Sequence, residues 1–241
     1  MKIGIFDSGI GGLTVLKTLI NKYPNNEYIY YGDTLNLPYG SKTKEELLEL
    51  SKNDVEFLVS KNVDIIIIAC GTVSSKCLTY LKDNYSIPIY DIISPTIKYL
   101  NNSNKSSIGI IATERTIDSH IFKNNLQKEV YEIKTKKLVP LIENNDLENI
   151  NIIFEKFLKE YKNKIDILVL GCTHYPIIKE YINNYFNNKI EILDMSYPLL
   201  DKLKEDTTSS INIYFSKLNN TIIENTKRIL NIDNVNIYLK R

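Results

Sequence analysis

Short apolar runs alternate along the chain with longer amphipathic ones. KIGIF (2–6), YIYY (28–31), DIIIIA (64–69), IPIY (87–90), SIGII (107–111), DILVL (166–170) and IEIL (190–193) read as strands. Most are apolar at consecutive positions, which fits a parallel sheet covered on both faces. Helical spacing runs through LTVLKTLINK (13–22), TKEELLELSKNDVEFLVSK (43–61), SSKCLTYLKDN (74–84), residues 148–161 and IIKEYINNYF (177–186). Strand and helix in alternation predict an α/β architecture with right-handed crossovers. Near the C-terminus, TIIENTKRIL (221–230) predicts another helix, and INIYF (211–215) and VNIYL (235–239) predict two more strands.

The pattern repeats. VDIIIIACGT (63–72) aligns with IDILVLGCTH (165–174), each with an Asp six residues before a Cys and a short apolar strand between them. KIGIFDSG (2–9) aligns with SIGIIATE (107–114) at a similar offset. Two similar α/β lobes are therefore expected, with Cys70 and Cys172 at equivalent strand ends.

The 241 residues suffice for one large or two small domains. With 43% hydrophobic residues, 24% charged residues and a formal net charge of +1, the composition argues against disorder and against a polyanion-binding surface. Lysines and asparagines are scattered, so nucleic acid is not an expected partner. No apolar run reaches the roughly 20 residues of a membrane span. The opening MKIGIFDSG lacks a signal-peptide core and is interrupted by Asp7, so a cytoplasmic location is expected. In that compartment Cys70, Cys77 and Cys172 remain thiols.

A free Cys is commonly a packed core residue, and Cys77, seven residues after Cys70 on an amphipathic stretch, reads that way. Cys70 and Cys172 follow strands, where open α/β sheets collect ligands. If the lobes face each other, the two thiols flank one cleft. Zinc would need three or four ligands, whereas Cys172, His174 and Cys70 form a poor zinc signature, so no metal is expected. The other use of paired thiols is proton transfer on both faces of one carbon. Inverting a stereocentre takes a proton from one side and returns one on the other, and two groups of similar proton affinity exchange the acid and base roles. Thiols suit this, with an unperturbed pKa of about 8.5, which a helix N-terminus or nearby donors would lower further.

FDSGIGG (6–12), YYGDTLNLPYG (30–40), ACGT (69–72), VPLIE (139–143) and GCTHYP (171–176) together resemble bacterial glutamate racemase, of the aspartate/glutamate racemase superfamily. The resemblance runs in order over most of the chain. It implies two pseudo-symmetric lobes, each a mostly parallel sheet flanked by helices, with the active site in the cleft between them. The C-terminal tail returns to the first lobe, which gives residues 1–94 plus 196–241 and residues 95–195. It implies cofactor-independent 1,1-proton transfer at Cα of glutamate, with Cys70 acting on the D-enantiomer and Cys172 on the L-enantiomer. The D-glutamate formed supplies peptidoglycan synthesis. The resemblance also allows a homodimer, although no patch in the sequence shows which face would pair.

Asp7, followed by Ser8 and Gly9, has two readings: a helix cap before LTVLKTLI, or a group beside Cys70 that orients or accepts protons, with Ser8 on the substrate. The resemblance favours the second. Gly9, Gly11 and Gly12 do not fit a nucleotide-binding glycine motif. Asp33 and Pro38-Tyr39-Gly40 are by themselves only a turn; in the family the Tyr-Gly backbone meets substrate and the Asp lies near the first thiol. Thr72 and Thr173, with local backbone amides, are candidates to hold carboxylates, a route made necessary by the scarcity of arginine (Arg115, Arg228 and Arg241 only). Thr116 is a further substrate-contact candidate. His174, two residues from Cys172, is assigned to tuning or proton relay, Glu143 to supporting it, and His120 to structure.

One position departs from the family. Asn usually stands between the first Cys and Thr, and here it is Gly71. An enzyme using glutamate would forgo one or two hydrogen bonds worth roughly 0.5–1.5 kcal/mol each, with water as a replacement. The alternatives are thus a related racemase or isomerase acting on another 2-amino or 2-substituted acid, or a binding protein with an eroded site.

Overall fold

The computed structural model of the chain describes residues 1–232 and 235–240; Arg241 lies outside them. Four strands come first, β1 (Lys2–Asp7), β2 (Glu27–Gly32), β3 (Ile65–Ile68) and β4 (Ile89–Asp91). Four more follow, β5 (Ser107–Ala112), β6 (Glu129–Lys134), β7 (Ile167–Leu170) and β8 (Glu191–Asp194), then β9 (Ser210–Phe215) and β10 (Asn236–Leu239). They form two sheets, ordered β10-β9-β2-β1-β3-β4 and β6-β5-β7-β8. All the pairings are parallel. The order β2-β1-β3-β4 recurs as β6-β5-β7-β8, which is the repeat read from the sequence. The tail strands β9 and β10 extend the first sheet beyond β2.

Helices make the crossovers: α1 (Leu13–Lys22), α2 (Lys44–Ser60), α3 (Gly71–Lys76), α4 (Leu78–Asn84) and α5 (Ile93–Asn102), then α6 (Glu114–Ile117), α7 (Leu138–Glu143), α8 (Ile150–Leu158), α9 (Lys179–Tyr185) and α10 (Asn220–Leu230). α2 starts at a reciprocal Thr43–Glu46 capping box, which satisfies two amides of the first turn.

The consecutive apolar residues of the strands divide between two layers. Ile65 and Ile67 of β3 and Ile167 and Val169 of β7 enter one core shared by both sheets. Their neighbours Ile66 and Ile68 pack beneath the outer helices of the first lobe, and Leu168 and Leu170 beneath those of the second. A period of two with both faces buried gives an unbroken apolar run. The repeat extends to side chains. Asp64 accepts the Lys2 amide at 2.7 Å, and Asp166 accepts the Ser106 and Ser107 amides at 2.9 and 3.0 Å. The Asp six residues before each Cys therefore ties the start of the thiol-bearing strand to the start of its neighbour.

Some elements differ from expectation. The stretch 74–84 is two helices, because the first starts earlier, at Gly71, and the chain turns at Cys77, whose backbone (φ −116°, ψ −13°) ends α3 and begins α4. β6 and α5 lacked a sequence signal. β6 is a sheet edge, EVYEIK, with only Ile133 fully buried. α5 carries Pro95 in its first turn, where Pro is tolerated but interrupts the apolar spacing.

Candidate active site

β3 ends at Ile68 and β7 at Leu170; two residues after each stands a cysteine. Both cysteines line one cavity of about 470 Å³, bounded by the segments that follow β1, β2, β3, β5, β6 and β7. The cavity thus lies beyond the carboxyl ends of both sheets. Among the residues singled out in the sequence, Asp7, Ser8, Cys70, Gly71 and Thr72 line it from the first lobe, as do Pro38, Tyr39 and Gly40. From the second lobe come Thr116, Glu143, Cys172, Thr173 and His174. Asp33 is buried but stands behind the wall.

The two thiols have different surroundings. Cys70 is 5% exposed. Burial first, and the Asp7 carboxylate second, push its pKa up to about 12, against hydrogen bonds from the Val73 amide, the Ser8 hydroxyl and the Thr72 amide. The donors expected to lower this pKa are present, but desolvation of the thiolate outweighs them. Asp7 does not cap α1, whose N-cap is Gly12. Its Oδ2 accepts the Gly9 and Gly12 amides at 3.1 and 3.0 Å, closing the loop that leads into α1, while the same residue faces the cavity.

Cys172 sits in a chain of three groups. Its Sγ is 3.8 Å from His174 Nδ1, and His174 Nε2 is 2.9 Å from Glu143 Oε1. Burial pushes the His174 pKa down, but the Cys172 sulfur and the Glu143 carboxylate together outweigh it and raise it to about 10. An imidazolium is therefore held beside one sulfur, while an aspartate stands beside the other. Glu143 ends α7, and α10 braces that end: Asn225 Nδ2 donates to the Glu143 carbonyl at 3.3 Å, and Arg228 bonds Asn145 and the Ile142 carbonyl.

The loop 38–40 is fixed from behind. The Tyr39 hydroxyl donates to Asp33 Oδ2 at 2.7 Å and lies 3.1 Å from Asp54 Oδ2. Asp33 also accepts from Asn36 and from Ser216, which follows β9. Asp54 is fully buried, and burial followed by the Asp33 charge raises its pKa well above the ordinary carboxylate value. The sequence reading passed over Asp54. Its signal was its place on the buried stripe of α2 with Leu47, Ser51, Val55 and Leu58.

Close contacts join the lobes at the cavity. Thr14 Oγ1 donates to the Thr173 carbonyl at 2.8 Å, and Thr173 Oγ1 to Asp7 Oδ1 at 3.4 Å. Thr72, Thr113 and Thr116 form a row of hydroxyls spaced 3.2 and 3.0 Å apart. Two glycines permit this approach. A Cβ at Gly11 would lie 2.5 Å from His174 Nδ1, and one at Gly71 would lie 3.0 Å from the Gly171 carbonyl oxygen. At Gly71, then, a side chain would begin in tight contact with the opposite lobe's backbone. Thr113 and Glu114, which the repeat sets opposite Ser8 and Gly9, also line the cavity, as do Thr135 and Lys136, which follow a strand end without a recognisable motif.

The model of the Asp/Glu/hydantoin racemase family matches residues 26–197, and the two-lobed fold with its shared cleft is of that class. A glutamate racemase of Aquifex aeolicus is 38% identical over 95% of this chain and 94% of its own length. One of Fusobacterium nucleatum is 40% identical over 90% of this chain and 84% of its own. The crystal structure of the Francisella tularensis glutamate racemase, a complex with D-glutamate, superposes with a TM-score of 0.86 at 29% identity, covering 100% of this chain and 97% of that one. The chain belongs to the glutamate racemases of that family.

Proposed function

We propose that the protein interconverts L- and D-glutamate without a cofactor, by 1,1-proton transfer between two thiols. The observation that supports this best is that Cys70 and Cys172, at equivalent strand ends, line one cavity with Asp7 and His174. The Cys172 thiolate, held beside the His174 imidazolium, takes the Cα proton of L-glutamate. The electron pair left on Cα accepts the Cys70 proton from the other face, leaving D-glutamate, a Cys172 thiol and a Cys70 thiolate. The reverse direction begins from that second state. Burial favours the Cys70 thiol; the substrate ammonium beside it offsets that cost. The Thr72, Thr116 and Thr173 hydroxyls, Ser8 and the Pro38–Gly40 backbone hold the carboxylates. D-Glutamate made in the cytoplasm feeds peptidoglycan synthesis, and through it cell-wall biogenesis and cell shape.

The test is incubation with each enantiomer in heavy water. Deuterium wash-in at Cα with loss of optical activity is expected for both. Exchange confined to another 2-amino or 2-substituted acid would move the substrate, and binding without exchange would make this a binding protein. Cys70→Ser and Cys172→Ser should each lower racemisation by about 10²–10⁴-fold or more, the range for a lost general acid or base. Full turnover in either would refute the pairing.

A further inference from the structure

Lys136 follows β6 and lines the cavity that holds both thiols. It is the only lysine or arginine among the residues that line it. Its Nζ lies 3.5 Å from Glu114 Oε2, and the two side chains are 76% and 44% exposed. Both therefore stand at the rim. An exposed pair of this kind contributes only about 0–1 kcal/mol to stability, so Lys136 is readily released to another anion. The charge of the rest of the wall favours such a cation at the rim, in addition to the hydroxyls and backbone that hold the carboxylates deeper in. Asp7, Glu114 and Glu143 line the cavity against Lys136 and His174, so even with His174 charged the lining is net negative. An amino acid with two carboxylates is itself an anion near neutral pH, and without Lys136 it would enter a cavity of strengthened like charge.

We infer that Lys136 is the specificity residue for a dicarboxylic amino acid: its ammonium leaves Glu114 to meet the second carboxylate of the incoming substrate at the cavity rim. The inference rests on the amino-diacid reading above and adds the residue that enforces it. Glu114 occupies Lys136 in the free enzyme and competes with the substrate for it.

The test uses the full chain with D- and L-glutamate. Lys136→Met should raise KM about tenfold at low ionic strength, a change of about 1.4 kcal/mol, with kcat within about twofold. Wild-type KM should climb between about 0.01 and 0.3 M salt, while that of the variant stays nearly flat. Lys136→Arg should restore most of the affinity, and Glu114→Gln should lower KM by removing the competitor. Circular dichroism confirms that the variants are folded, as expected at so exposed a position. A KM within twofold of wild type at low salt, or a loss confined to kcat, would overturn the inference. A wild-type protein inactive on both enantiomers would instead sink the functional reading on which it rests.

Discussion

Replacing Glu143 by Gln keeps an oxygen for His174 Nε2, now 2.9 Å away, and removes only the charge. A hydrogen bond to a charged group contributes roughly 1.5–3 kcal/mol and a neutral one about 0.5–1.5. The difference, a little over 1 kcal/mol, is about one pKa unit. The pKa of His174, raised to about 10 in the wild type, should therefore fall by about one unit in the variant. In the proposed mechanism the imidazolium must stand beside Cys172, so the alkaline limb of the pH–kcat profile should move toward neutrality by the same amount. Near pH 8 the two enzymes should differ little, and near pH 10 the variant should be roughly fivefold slower. The assay is the initial rate at saturating substrate, followed by circular dichroism in both directions. The bound substrate's ammonium titrates in both enzymes and cancels in the comparison. Since the enantiomers have equal free energy, kcat/KM must remain equal in the two directions. An alkaline limb that does not move, or a uniform loss at every pH, would refute an electrostatic role for Glu143.

Two further predictions concern other parts of the site. In the fold, Asp54 has a pKa raised well above the ordinary carboxylate value by burial and then by the Asp33 charge. Its unfolded counterpart ionises near pH 4, so this residue's contribution to stability is lost as pH rises from there toward the folded pKa. In Asp54→Asn, which still accepts the Tyr39 bond, the melting temperature should decline less between about pH 5 and 8 than in the wild type; parallel melting curves would contradict the buried-acid account. Gly71→Ala places a methyl 3.0 Å from the Gly171 carbonyl oxygen. Overpacking of this kind costs about 1–3 kcal/mol of stability, so the melting temperature should fall, and an unchanged value would show that the lobes are not held this close.

The sequence carried the repeat because Asp64–Cys70 and Asp166–Cys172 enclose strands apolar on both faces. Burial on two sides leaves a run of isoleucines that no amphipathic helix would show. Asp7, Cys70, Cys172 and His174 stand inside short motifs, so the chain itself marks them. What escaped is what depends on distance across the cavity. Gly71 read as a missing hydrogen-bonding side chain, and only the facing Gly171 carbonyl shows it as a point of contact. Lys136 is one of many scattered lysines, and nothing in its neighbours tells which loop end borders the cavity. Asp54 is an acid on a buried stripe, a conflict visible in the helix pattern, but its partners Tyr39 and Asp33 come from another loop.

The recurrence of β2-β1-β3-β4 as β6-β5-β7-β8 gives the molecule two versions of a single handle, one grown into each half. A substrate that exists in left and right forms meets a protein that also has two related sides, neither of which owns the reaction. The two sides are alike without being identical, with a carboxylate near one sulfur and an imidazole near the other, so each hand of the substrate is met by its own surroundings.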